Sequence, residues 1–107
     1  MTKLSRLRRS RREILGYIAA IEEMRRGSVV RQFFKVKPKG NGRPRRQGPY
    51  ALYTRKKNGK TVGRRLRGPQ EIRRLEAQVE NYHAFRGLCS ELVDVAERIC
   101  EEKAKRS

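Results

Sequence analysis

Tryptophan is absent from this 107-residue chain, histidine occurs once and cysteine twice. Each shortage excludes something. With His83 as the single histidine and no CxxC pair, a zinc site has no ligand set. Cys89 and Cys100 are spaced by close to three helical turns, so on one helix they would share a face about 16 Å apart, too far to bridge. Two free thiols in a reducing compartment are expected, with a cross-chain disulfide as the competing arrangement. No apolar run approaches the roughly 20 residues that span a bilayer, and no apolar core follows the basic N-terminus. Neither a membrane span nor a signal peptide is expected, and the expected location is cytoplasmic, associated with nucleoid or ribonucleoprotein.

Catalytic groups are equally sparse. His83 is the only side chain whose reference pKa lies near neutrality, and it falls beside aromatic residues of a helical stripe, which suits a packed or surface histidine better than a general base. The acids cluster toward the C-terminus, away from the basic segments, so no paired carboxylates suggest themselves. GNG and NGK are turn glycines; a phosphate loop needs a longer glycine pattern feeding a helix. The expectation is no enzyme, no cofactor and no metal. A basic ribonuclease-type toxin is the competing reading, because such proteins cleave RNA with basic residues alone.

Acids are scarce too: 11 Asp and Glu stand against 29 Lys and Arg, a net charge of +18. The distribution is uneven. Residues 1–67 carry 22 basic side chains against the three acids Glu13, Glu22 and Glu23, a net of +19, whereas residues 68–107 carry seven against eight, a net of −1. Such asymmetry points to a polyanion, DNA or RNA, more than to a membrane surface or an acidic protein.

What is present reads as one small domain over residues 1–107. In KLSRLRRSRREILGYIAAIEEMRR, residues 3–26, Leu4, Leu7, Ile14, Ile18 and Ile21 fall at helical steps, with Arg11 where the remaining apolar position would be. Gly27 supplies a stop. Residues 1–11 are so basic that their first turns are expected to fray without a partner. SVVRQFFKVK, residues 28–37, alternates as a strand, with Val30, Phe34 and Val36 on one side and Arg31, Phe33, Lys35 and Lys37 on the other. Residues 38–48, dense in Gly, Pro and Arg, read as a flexible basic loop carrying Lys39, Arg43, Arg45 and Arg46.

YALYTRKKNGKTVGRRLR then reads as two strands about an Asn-Gly turn. A two-residue turn at Asn58 and Gly59 would set Leu52 opposite Arg65 and Arg55 opposite Val62, mixing charged and apolar groups on both faces. A three-residue connection with Gly59 in a bulge pairs Lys56 with Lys60, Thr54 with Val62, Leu52 with Arg64 and Tyr50 with Leu66. The second choice gathers Tyr50, Leu52, Thr54, Val62 and Leu66 on one face, interrupted only by Arg64, and it is the expected register. Ala51, Tyr53, Arg55, Thr61, Gly63, Arg65 and Arg67 then face outward. Arg64 is left pointing inward, its natural partner a glutamate of the helix that follows.

From Gln70 to about Lys103 the chain reads as one long helix with residues 104–107 as a tail; Ile72, Leu75, Val79, Tyr82, Phe85, Leu88, Leu92, Val95 and Ile99 form its stripe. At about 50 Å it would overhang a three-stranded sheet, so its second half needs a partner. Antiparallel packing on the N-terminal helix supplies one, and homodimerisation through the same stripe competes. A break at Gly87 is the alternative to a continuous helix. The expected fold class is α+β: N-terminal helix, three-stranded antiparallel sheet, and long C-terminal helix packed antiparallel on the first.

Basic side chains interleaved with rings are the one positive functional pattern. The expected contact set is Arg8, Arg9 and Arg12 of the first helix; Arg31, Phe33 and Lys35 of the first strand; Arg43, Arg45 and Arg46 of the loop; and Tyr53, Arg55, Lys57, Lys60, Arg65 and Arg67 of the hairpin. Cationic heads neutralise phosphates, and an exposed ring offers a surface for an unpaired base. The bland alternative is that Phe33 and Tyr53 cover a second apolar cluster and the arginines are merely solvated.

The run GPYALYTRKKNGKTVGRRLRGPQEIRRLEAQVENYHAFRGL also resembles a family of small prokaryotic proteins of unknown function found near mobile genetic elements. The shared pattern falls on Gly48, Pro49 and Tyr50, on Tyr53, on Gly59 and Lys60, on Arg64 and Arg65, and on Glu80, Asn81 and Tyr82. It covers about two fifths of the chain, and the basic insertion PKGNGRPRRQ departs from it. A looser similarity is to the three-strand-plus-helix arm-binding domains of recombinases, in which a sheet lies against DNA and the helix is short. The resemblance implies an accessory of transposition or of another nucleic-acid transaction. The functional expectation is thus a non-catalytic nucleic-acid-binding subunit of a larger nucleoprotein assembly, built on a transposition-type enzyme or a structured RNA; a protein adaptor acting through the long helix is the further alternative.

Overall fold

Thr2 caps the first helix of the computed structural model: its hydroxyl accepts the Ser5 N–H at 3.1 Å, while Ser5 Oγ donates to the Thr2 carbonyl at 3.0 Å. The structure describes residues 2–36, 40, 42–43 and 45–106, and for 34–36 and 45–49 the backbone alone. Five elements follow in order: α1 (Lys3–Ala20), β1 (Ser28–Val36), β2 (Arg45–Lys57), β3 (Lys60–Arg65) and α2 (Gly68–Arg106). The fold is α+β. By their contacts the residues divide into two compact units, Met1–Met24 with Glu80–Ser107, and Arg25–Val79.

In the first unit α1 and the later part of α2 run antiparallel. Lys3 Nζ approaches Glu102 at 3.9 Å near one end, and at the other Asn81 Nδ2 donates to the Glu23 carbonyl at 3.0 Å. Leu4 and Ile14 are the buried residues of α1, and Leu7, Ile18 and Ile21 are half-buried, as are Tyr82, Phe85, Leu88, Leu92, Val95 and Ile99 of α2. The helix does not continue to Arg26 as its sequence suggests. It stops at Ala20, and Ile21 takes an extended ψ of 111°. The chain beyond it finds other partners, here the Asn81 amide, in place of the helical ladder. α2 passes through Gly87 unbroken and reaches Arg106, past the expected end at Lys103. Lys103, Lys105 and Arg106 occupy its last turn, where cations complement the partial negative charge of the carbonyl end. Of the expected tail, only Ser107 lies outside the described residues.

The second unit is an antiparallel sheet in the order β1-β2-β3 with the first turns of α2. Ala51, Tyr53 and Leu66 pack with Leu75 and Val79 of the helix, and Val29 and Ile72 close the edges. Arg25 fastens this unit at its start: its N–H donates to the Gln78 carbonyl at 3.0 Å and its Nε to Gln78 Oε1 at 2.6 Å. Gly27 follows with φ of 123°, and a Cβ there would strike the Thr54 carbonyl. It is a point of close backbone approach and not a helix stop.

Two expectations are corrected in the sheet. Residues 38–48 are not all loop, because β2 starts at Arg45 and pairs Val36 with Arg45, Lys35 with Arg46 and Phe34 with Gln47. The ladder is interrupted between Gln32 and Phe34, which lets Pro49, without an N–H, sit within a paired strand. Lys37 and Lys39 lie outside the described residues.

The second correction concerns the hairpin register. Lys57 pairs with Lys60, Arg55 with Val62, Thr54 with Gly63, Tyr53 with Arg64 and Leu52 with Arg65. This is the two-residue turn. Asn58 and Gly59 both have positive φ, 52° and 81°, as a type I′ turn requires, and that turn matches the strand twist. The faces of β2 consequently invert while those of β3 stay as expected. Ala51 and Tyr53 point at α2, and Val62, on the same side as Tyr53, is 46% exposed. The inward arginines are tolerated because their heads reach acids of α2: Arg64 meets Glu71 at 2.5 Å and Arg31 meets Glu76 at 3.0 Å.

Candidate nucleic-acid interface

The sheet unit is where the charge resides. Residues 25–79 hold 18 of the 29 Lys and Arg but only Glu71 and Glu76 among the acids, a net of +16; the helix-pair unit holds the other 11 against nine acids, a net of +2. Both acids of the sheet unit already pair with Arg64 and Arg31. Self-repulsion on this scale opposes folding and is relieved by bound anions.

At the hairpin tip Arg55, Lys56, Lys57 and Lys60 are all exposed, and among the described residues none has an ion-pair partner. The cross-strand pair Lys57–Lys60 places two like charges directly opposite each other, which costs stability and which nothing in the fold requires. On the sheet face turned away from α2, Arg65 lies with its guanidinium carbon 4.0 Å over the centre of the Tyr50 ring. By strand alternation Val30, Leu52 and Thr54 share that face. Val30 is 39% exposed, so the face joins an aromatic, a planar cation and open apolar surface.

The expected contact residues are dispersed by this geometry. Lys57, Lys60, Arg55 and Arg65 belong to the exposed hairpin, and Arg67 lies just after it, its N–H donating to Glu71 Oε2 at 3.1 Å. Arg31 stands on the α2 side in its pair with Glu76. Tyr53 is no stacking platform: its ring is buried in the core and its hydroxyl donates to the Arg26 carbonyl. Phe33 is 48% exposed and Arg43 is exposed. The side chains of Lys35, Arg45 and Arg46 lie outside the described residues, although their backbones pair across β1 and β2. Arg8, Arg9 and Arg12 are exposed on α1, in the other unit, and Arg9 is engaged with Glu13 at 3.3 Å.

Sequence reasoning missed Tyr50, which it placed inside, and a second basic cluster. Arg25, Arg64, Arg67 and Arg74 line one concavity with Gln70, Glu71, Leu75 and Gln78. Within it the Arg64 hydrogen bond, followed by the Arg67 N–H, holds the Glu71 carboxyl below its ordinary pKa. The signal available in the sequence for Tyr50 was the Asn-Gly turn itself, whose preferred two-residue geometry turns Tyr50 to the face of Arg65. Among the described residues no cluster of His, Cys, Asp and Glu could hold a metal ion, and Cys89 and Cys100 are both free. No helix among them is long and apolar enough to cross a membrane. Comparison with protein-family models, with curated proteins and with solved structures finds no match for this chain.

Proposed function

We propose that this chain is a non-catalytic nucleic-acid-binding protein that uses its sheet unit to engage the polyanion and serves as a small accessory subunit of a larger assembly. The observation that carries the reading is the net +16 of residues 25–79, whose only two acids are already paired. A solvated surface has no need of such an excess, and a phosphate backbone neutralises it directly. The Lys-rich tip supplies point charges for phosphates. Arg65 on Tyr50 supplies a flat cation that contacts a phosphate through its edge or an unpaired base through its face.

The helix-pair unit suits attachment to a protein partner. It is close to neutral and leaves Tyr17 66% and Val93 55% exposed. The accessory role is therefore a division of labour between a basic unit that binds and a near-neutral unit that docks. Sequencing the nucleic acid that co-purifies with the full chain tests the reading: recovery of bound DNA or RNA that Lys57→Glu/Lys60→Glu/Arg65→Glu no longer retains, with the fold intact by circular dichroism, is the expected result. Retention unchanged in that variant would overturn the assignment of the surface, and absence of any bound nucleic acid would overturn the function.

A further inference from the structure

The concavity lined by Arg25, Arg64, Arg67 and Arg74 differs in kind from the hairpin tip. Its four guanidinium groups come from four separate places: ahead of β1, on β3, in the connection to α2, and on α2 itself. One carboxylate, Glu71, stands among them, leaving a local charge of +3. Arg64 is held by Glu71 and Arg25 by Gln78, so both arrive oriented. The guanidiniums of Arg67 and Arg74 have no ion-pair partner among the described residues.

An internal phosphodiester carries one charge and is flanked by sugar on both sides, so a row of cations along a strand suits it. A phosphate monoester carries close to two charges at neutral pH and presents three free oxygens. Only the second species uses cations converging from several sides, and the planar forks of arginine bind it bidentately. We propose that this concavity is a subsite for a phosphate monoester, the terminal phosphate of a nucleic-acid strand whose body lies on the hairpin. The proposal rests on the nucleic-acid-binding reading above and adds to it a preference for strand ends.

The test uses the full chain and internally labelled oligonucleotides of one sequence with a 5′-phosphate, a 3′-phosphate or hydroxyl ends, followed by fluorescence anisotropy at fixed salt. One phosphorylated end is expected to bind about tenfold tighter than the hydroxyl-ended strand, the scale of charge-assisted hydrogen bonding. Arg74→Gln, at a pocket residue outside the hairpin contact set, should cut that ratio to about threefold or less while keeping hydroxyl-ended binding within about threefold. Lys57→Gln/Lys60→Gln should weaken all three strands and keep the ratio. Equal binding of all three strands by the native chain would overturn the subsite and leave the nucleic-acid reading standing. Failure to bind any strand would overturn both. If a free nucleoside monophosphate at the oligonucleotide's own dissociation constant abolishes the end preference, the pocket serves mononucleotides and the assignment to strand ends falls.

Discussion

Replacing Lys57 and Lys60 by glutamine separates what the hairpin tip does for folding from what it does for binding. The two residues face each other across the Asn58–Gly59 turn, both are exposed, and neither has an ion-pair partner among the described residues. Removing directly opposed like charges should leave stability unchanged or raise it by about 0.2–1 kcal/mol. Binding should move the other way. Each phosphate contact contributes about 0.9 to the slope of log K against log salt on duplex DNA and about 0.7 on a single strand. Loss of two contacts therefore lowers the slope by about 1.8 or 1.4. Extrapolated from 1 M, that weakens binding at 0.1 M salt by about 60-fold or 25-fold, with the two proteins converging as salt rises. The assay is a titration at four or five salt concentrations, paired with thermal melting. An unchanged slope in a variant that still folds would refute the assignment of the tip as a phosphate-contacting element.

Other perturbations probe separate parts of the account. Gly27→Ala places a Cβ against the Thr54 carbonyl at a φ of 123° that L-residues avoid, so a loss of about 2 kcal/mol or more is expected in chemical denaturation. Arg65→Lys keeps the charge but not the planar group over Tyr50; single-strand affinity should fall about three- to tenfold with the salt slope unchanged. Glu71→Gln should lower the melting midpoint at neutral pH. Because folding lowers the Glu71 pKa, its stabilisation is present above the ordinary value of 4.5 and disappears as pH falls through the lowered folded value. The native and substituted chains should therefore converge in acid, and a constant difference between pH 7 and pH 2 would contradict the Arg64 and Arg67 hydrogen bonds as its source.

The helices were legible because their signal is redundant. Nine apolar residues from Ile72 to Ile99 keep helical spacing, and a charged residue or Gly87 cannot mask that period. The stripe of α1 was equally plain, but its end was not, since residues 21–26 are good helix formers whose backbone is claimed by tertiary partners such as Asn81. The hairpin was located correctly and paired one residue out. Gathering Leu52, Val62 and Leu66 on one face looked like the better core, but the Asn58–Gly59 turn outweighed it, and the acids of α2 made inward arginines acceptable. Arg64 is the instructive case, because its leftover inward charge already implied a glutamate of the long helix, and Glu71 is that residue. For the site, the sequence showed the charge and the exposed tip. The ring beside Arg65 is Tyr50 and not Tyr53, because a shift of one position turns over the side chains of β2 while those of β3 keep their faces.

The central claim is that the sheet unit is the surface that meets nucleic acid. Ultraviolet cross-linking of the full chain to DNA and RNA oligonucleotides, with the linked peptides located by mass spectrometry, addresses it most directly. The account predicts cross-links within residues 50–67, on the hairpin and the Tyr50–Arg65 face. Cross-links confined to α1 or to the part of α2 beyond Glu80, with residues 50–67 unmarked, would contradict it.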